Sequence, residues 1–133
     1  MKRARKRGSA ADKPRAGERS PCPIAISLDI LGDKWTLIVL RDLFVGKRQY
    51  SAFLDSPEKI PTNILADRLK RLVAEGLVER TPYQDRPVRY EYQLTEKGTR
   101  LLPVLQEICR WANRYYPDSW TPPESFMKRR IRN

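Results

Sequence analysis

The stretch from Ile60 to Leu94, IPTNILADRLKRLVAEGLVERTPYQDRPVRYEYQL, constrains the fold more than any other part of the chain. Leu65, Leu69 and Leu72 recur at i, i+4 and i+7, which is one face of a helix. Thr62 is its expected N-cap and Glu75-Gly76 its stop, and its outer face is polar and basic. Leu77 to Thr81 then reads as a short strand. Val88 to Leu94 alternates, with Val88, Tyr90, Tyr92 and Leu94 on one face and Arg89, Glu91 and Gln93 on the other. A turn containing Asp85, Arg86 and Pro87 joins the strands. The chain therefore has to place a hairpin directly against the end of an amphipathic helix.

The segments around this unit are helical. Ile24, Leu28 and Leu31 recur at helical spacing from Pro23, and Gly32 stops the run. Asp33 is placed to cap a second helix carrying Trp35, Ile38, Val39, Leu43 and Phe44, which Gly46 ends. Tyr50 to Leu54 reads as a short helix turning Phe53 inward, followed by a turn through Asp55, Ser56 and Pro57. After the hairpin, Thr95 caps one long expected helix, Glu96 to Tyr116, stopped by Pro117. Its apolar stripe runs through Leu101, Leu105, Ile108, Ala112 and Tyr115. The expected organisation is a disordered basic arm over 1–21, one domain over 22–117, and an irregular basic tail over 118–133.

Charge alone does not say what the domain binds. The chain carries 27 Lys plus Arg against 16 Asp plus Glu. Most of that excess lies in the ends, because Ser20 to Ser119 holds 15 basic and 13 acidic residues. The positions of the cations have to carry the argument. There is no His, which removes the commonest general base and the commonest metal ligand. Cys22 and Cys109 form no metal-binding spacing, and no nucleophile motif or Gly-rich phosphate loop is present. No metal, no cofactor and no enzymatic activity are expected. The basic start is not followed by an apolar segment of signal-peptide length, and the best apolar run, Leu37 to Leu40, is too short to cross a membrane. A cytoplasmic location is the default.

A mainly α domain with a small β-hairpin in this order is the layout of a winged helix-turn-helix. Tyr50 to Leu54 and the helix after Pro61 are its two helices, and the leading end of the second meets DNA base edges. Thr62 and Asn63 sit at that end, with Ala66 one turn on and Lys70 following. Asn suits a bidentate contact to adenine, and Thr can hydrogen-bond a base or touch a thymine methyl. Arg68, Lys70 and Arg71 are of the type that holds phosphates, whereas Asp67 is expected to pair with Arg71. On the hairpin, Arg80, Arg86 and Arg89 either grip phosphate or pair with Glu79, Asp85 and Glu91. The last helix, with Ile24, Ile26, Leu28 and Ile30, carries more apolar surface than one such domain can cover. A two-fold dimer would bury it and set two reading helices about 34 Å apart.

Three segments together resemble the HxlR-type winged helix regulators, near the MarR-type repressors: CPIAISLDILGDKWTLIVLRDL, IPTNILADRLKRLVAEGLVER and RPVRYEYQLTEKGTRLLPVL. The resemblance covers about Cys22 to Tyr116. It implies a homodimeric, sequence-specific transcription factor that binds double-stranded DNA, with dimerisation helices at the N- and C-terminal ends. It also implies that the helix with Thr62, Asn63, Arg68 and Lys70 reads DNA and that Arg86 and Arg89 belong to the wing. The Cys22 position is where several members sense oxidants or electrophiles, and Arg19 is near enough in sequence to help activate a thiol. The plainer reading, a small buried residue at the helix start, is preferred for Cys22, as packing is for Cys109. The alternative to a specific regulator is an architectural or protein-interaction winged helix with non-specific nucleic-acid binding.

Overall fold

Gly32 and Asp33 show how the helices are set against one another. The computed structural model describes residues 16–131. The expected disordered arm falls largely outside those residues. Helix α1 (Pro23–Leu31) begins with Pro23 in its first turn and ends at Gly32, whose N–H donates to the Leu28 carbonyl at 2.8 Å. A Cβ at Gly32 would stand 2.4 Å from that oxygen, so this close approach needs glycine. The expected cap Asp33 is not the N-cap of α2 (Thr36–Phe44), a position Trp35 holds, but from two residues earlier it accepts from the Trp35 and Thr36 N–H groups at 3.0 and 3.1 Å.

The main core gathers Val39, Leu40 and Leu43 from α2, Phe53 from α3 (Tyr50–Leu54), and Leu65, Leu69 and Leu72 from α4 (Thr62–Ala74). All three expected leucines of α4 face inward. Thr62 is not the N-cap, however. Pro61 holds that position, and Thr62 is the first helical residue with its side chain exposed. Proline fixes the backbone at the helix start, so no side-chain cap is needed there and the Thr62 hydroxyl makes none. At the other end Gly76 adopts φ +76°, and the Leu77 N–H donates to the Leu72 carbonyl at 3.0 Å, closing the helix as a left-handed stop.

Strands β1 (Val78–Gln84) and β2 (Arg89–Leu94) form an antiparallel hairpin, with Val78 opposite Leu94 and Pro82 opposite Tyr90. The first strand runs three residues beyond its expected end. Pro82 is tolerated because a two-stranded hairpin has free edges, and the register shifts between Pro82 and Gln84. The base of the hairpin is tied to the domain, since the Tyr92 N–H donates to the Arg48 carbonyl at 2.8 Å and Gln49 bridges Glu91.

The expected single C-terminal helix is two helices, α5 (Glu96–Thr99) and α6 (Leu102–Tyr115). Pro103 breaks it, having no N–H to donate and a ring that excludes the Thr99 carbonyl. Thr95 caps α5 as expected, accepting from the Gly98 N–H at 3.1 Å. The tail is not irregular throughout. Helix α7 (Glu124–Met127) sets Phe126 into a second cluster with Phe44, Leu102 and Leu105. That cluster would otherwise expose Phe44 of α2, which gives the tail an apolar reason to fold back.

Candidate nucleic-acid interface

Helix α4 presents its leading end outward. Thr62, Asn63, Ala66 and Lys70 are all exposed, at spacings that put them on one side of the helix. The Tyr50 hydroxyl donates to the Thr62 carbonyl at 2.6 Å, which joins α3 to the first turn of α4. Behind that turn, buried Ser56 donates to buried Asp42, and the Lys47 ammonium donates to Ser56 at 2.9 Å. These contacts fix the angle at which α4 leaves the connecting turn.

Two arginines expected on phosphates are occupied elsewhere. The Arg68 side chain is only 17% exposed, and its Nε donates to Asp33 Oδ2 at 2.7 Å. Its Nη1 pairs with Asp67. Arg71 reaches the same Asp67 at 3.5 Å, as expected for an i, i+4 pair. Burial works against charge on Asp33, but hydrogen bonds from Thr36, Arg68 and the Trp35 N–H outweigh it and hold the carboxyl at a pKa of about 2. Arg68 is therefore a strut between α4 and the α1–α2 junction. Lys70 is the α4 cation that enters no ion pair among the described residues.

The hairpin differs. Arg86 and Arg89 are exposed and enter no ion pair among the described residues, so Glu79, Asp85 and Glu91 do not neutralise them. Glu91 instead accepts from Gln49 Nε2 at 3.3 Å. Arg80 lies at mid-hairpin, its guanidinium 4.0 Å from the centre of the Tyr90 ring. Between α4 and the hairpin runs a cleft of about 380 Å³, lined by Tyr50, Ala66, Tyr83, Arg89 and Tyr92 among others, with no carboxylate in its lining. The surface is concave, aromatic and cationic.

Cys22 is exposed at the N-terminus of α1, not buried as preferred from the sequence. Hydrogen bonds from the Ala25 and Ile24 N–H groups lower its thiol pKa. Arg19 takes no part, because it holds Asp29 at 2.9 Å and the Ala25 carbonyl at 3.2 Å. Cys109 is half-buried against the Phe44 cluster, and burial raises its pKa despite nearby Arg110. No helix among the described residues is long and apolar enough to cross a membrane.

The model of the HxlR-like helix-turn-helix family matches residues 30–119. The chain belongs to that family. Among HxlR-like relatives, the HTH-type transcriptional regulator Rv3095 of Mycobacterium tuberculosis is 38% identical over 97 residues, which are 73% of this chain and 61% of that protein. The HTH-type transcriptional regulator YvaP of Bacillus subtilis is 35% identical over 71% of this chain and 87% of its own length. The chain thus spans about three fifths of the mycobacterial relative. In structure, the reduced form of the transcriptional regulator YodB from B. subtilis superposes with a TM-score of 0.61 at 34% identity, covering 74% of this chain and 98% of YodB. The redox regulator HypR in its reduced form gives 0.65 at 32% identity, over 74% of this chain and all of HypR. The fold is a winged helix-turn-helix, mostly helical with a two-stranded hairpin.

Sequence reasoning missed the residues that position this HxlR-like surface: Tyr50, Asp33 in its second role, and the Asp42–Ser56 pair. Asp42 and Ser56 stand 14 positions apart on different elements, with no periodicity to connect them. A buried acid on α2 was the one available signal, since Asp42 interrupts an otherwise apolar face.

Proposed function

We propose that this chain is a sequence-specific transcriptional regulator that binds double-stranded DNA in the cytoplasm as a homodimer. The observation that carries this is the pairing of an exposed leading end on α4 with un-neutralised arginines on the wing. Asn63 and Thr62 read base edges in the major groove, with Ala66 open to a thymine methyl. Lys70, Arg86 and Arg89 hold phosphates or enter the minor groove. Arg68 and Arg71 act indirectly, by holding α4 in place.

Dimerisation is supported by two apolar faces. Ile24 and Leu28 of α1 are 70% and 56% exposed, and Val104, Ile108, Trp111 and Tyr115 of α6 are 40 to 60% exposed along one helical stripe. A monomer would leave both faces in water. Regulation through Cys22 is supported by its exposure, its lowered pKa and the likeness to YodB and to the redox regulator HypR. Oxidation of a sulfur that accepts from α1's first N–H groups would change its bulk and polarity at the end of the helix proposed for dimerisation.

The test is selection of duplex DNA from a random pool with Cys22 kept reduced. Enrichment of a two-fold symmetric motif is expected, with weaker binding to that motif once the thiol is oxidised and no such change in Cys22→Ser. Salt-sensitive binding with no motif would instead favour an architectural, non-specific winged helix.

A further inference from the structure

The basic residues beyond α6 have no part in the reading above, yet the structure fixes where they lie. Gln106 of α6 is 7% exposed, and its Nε2 donates to the Phe126 carbonyl at 3.0 Å and the Arg129 carbonyl at 2.8 Å. One buried amide thus holds two main-chain acceptors at the end of α7. Phe126 is seated on Phe44, Leu102 and Leu105 just before them. Burying an amide whose partners could move away would be costly, so this segment is anchored.

From that anchor Arg129 reaches the C-terminal end of α2, where its Nη1 donates to the Phe44 carbonyl. Arg48 approaches the same end from the other side, donating from Nη1 to the Leu43 and Lys47 carbonyls at 3.3 Å each. Two guanidinium groups far apart in sequence therefore gather at adjacent carbonyls, where the helix end carries partial negative charge. Each guanidinium has five donors and keeps several unused. Arg48, Arg129 and Arg130 are exposed and enter no ion pair among the described residues.

Their place relative to the DNA-reading elements decides the partner. Arg48 lies against β2 through the bond from the Tyr92 N–H and stands just before α3, the helix that crosses the DNA backbone in a helix-turn-helix. Arg48 and Arg129 thus stand together at the C-terminal end of α2, with Arg130 next in the chain, and Arg48 is tied through its carbonyl to β2, the strand that carries Arg89. Exposed arginines that are held by main-chain carbonyls and enter no ion pair among the described residues suit a row of phosphates.

We infer that Arg48, Arg129 and Arg130 form a second phosphate-binding edge that grips the duplex backbone beyond the half-site read by α4. This rests on the DNA-binding reading and extends its footprint. It gives the short helix α7 and Gln106 a role, which is to hold Arg129 and Arg130 against the body of the domain.

The test uses the full chain and two duplexes carrying the selected motif, one with long flanks and one trimmed to the motif. Affinity is measured across a range of salt for wild type, for Arg48→Gln/Arg129→Gln/Arg130→Gln, and for Arg130→Glu, a side chain with no bond among the described residues. On the long duplex the triple variant should lower the slope of log affinity against log salt by roughly 2 to 3, at about 0.9 per lost phosphate contact. The weakening should be the same for selected and random sequence, Arg130→Glu should act in the same direction, and the trimmed duplex should show little difference. An unchanged slope in both variants, or an equal loss on the trimmed duplex, overturns the proposal. A wild type without salt-sensitive duplex binding overturns the DNA reading itself, whereas a steep wild-type slope retained by the variants removes this edge alone.

Discussion

Helix α4 and the wing carry the same number of cations and use them in opposite ways. In α4 two of the three, Arg68 and Arg71, are tied to Asp33 and Asp67, which leaves Lys70 as the cation outside any ion pair. On the wing, Arg80 stacks on Tyr90, and Arg86 and Arg89 project without carboxylate partners. The difference follows from packing. Helix α4 lies on the core along Leu65, Leu69 and Leu72, so its flanks meet other elements and need polar struts. The outer half of the hairpin is exposed among the described residues, so its charges stay in water. Charge in a sequence becomes charge on a surface only where the fold leaves it unpaired.

The largest effect that would break this comparison is on stability. Arg68→Ala leaves Asp33 and Asp67 without their shared partner at a largely buried position, and we expect a loss of about 2–3 kcal/mol in urea unfolding. A loss near zero, together with weaker DNA binding, would move Arg68 back among the phosphate contacts. Next in size is Asn63→Ala, expected to weaken the selected motif by about 1–3 kcal/mol while leaving random duplex nearly unchanged. Equal losses on both duplexes would deny it a base-reading role.

Arg86→Ala and Arg89→Ala should leave stability within about 0.5 kcal/mol, as for surface changes away from any network. Each should lower the salt slope of binding by about 0.9. A clear loss of thermal stability in either would mean that the wing arginines are struts as well. A further effect concerns acid. The folded-state pKa of Asp33 is depressed to about 2, against roughly 3.9 in an unfolded chain, so its stabilisation is full above pH 4 and is lost as pH falls towards 2. Asp33→Asn should flatten that limb of an acid-unfolding curve, measured by circular dichroism. An unaltered limb would show that the Arg68 strut does not depend on the Asp33 charge.

Much of this fold was legible because periodicity and punctuation agreed. The leucines of α4, Gly76 and the Thr95 cap all state local geometry that packing then respected, whereas burial along β2 alternates only weakly and leaves Val88 exposed. The errors lie where a local signal competed with a nonlocal one. Pro103 lies within an otherwise continuous apolar stripe, and its steric effect prevailed over the pattern. The stretch holding Phe126 has almost no apolar periodicity of its own, and it folds because Phe44 and Leu105 await it from elements far earlier in the chain. In the site, the exposed positions of α4 followed from the helical wheel. The fate of Arg68 did not, because Asp33 lies 35 residues away across a turn.

Helix α1 is a rod of nine residues, roughly 13 Å from end to end. At its start stands the exposed sulfur of Cys22, and just past its finish stands the carboxylate that grips α4 through Arg68. The rod buries none of its residues fully and meets the main core through Ile30 and Leu31 near its C-terminal end. A push on one end would bear on the Arg68 anchor at the other, less what the backbone at Gly32 absorbs. A dimer interface built on α1 would thus hold one arm of a lever whose other arm is the aim of α4, the helix proposed to read DNA.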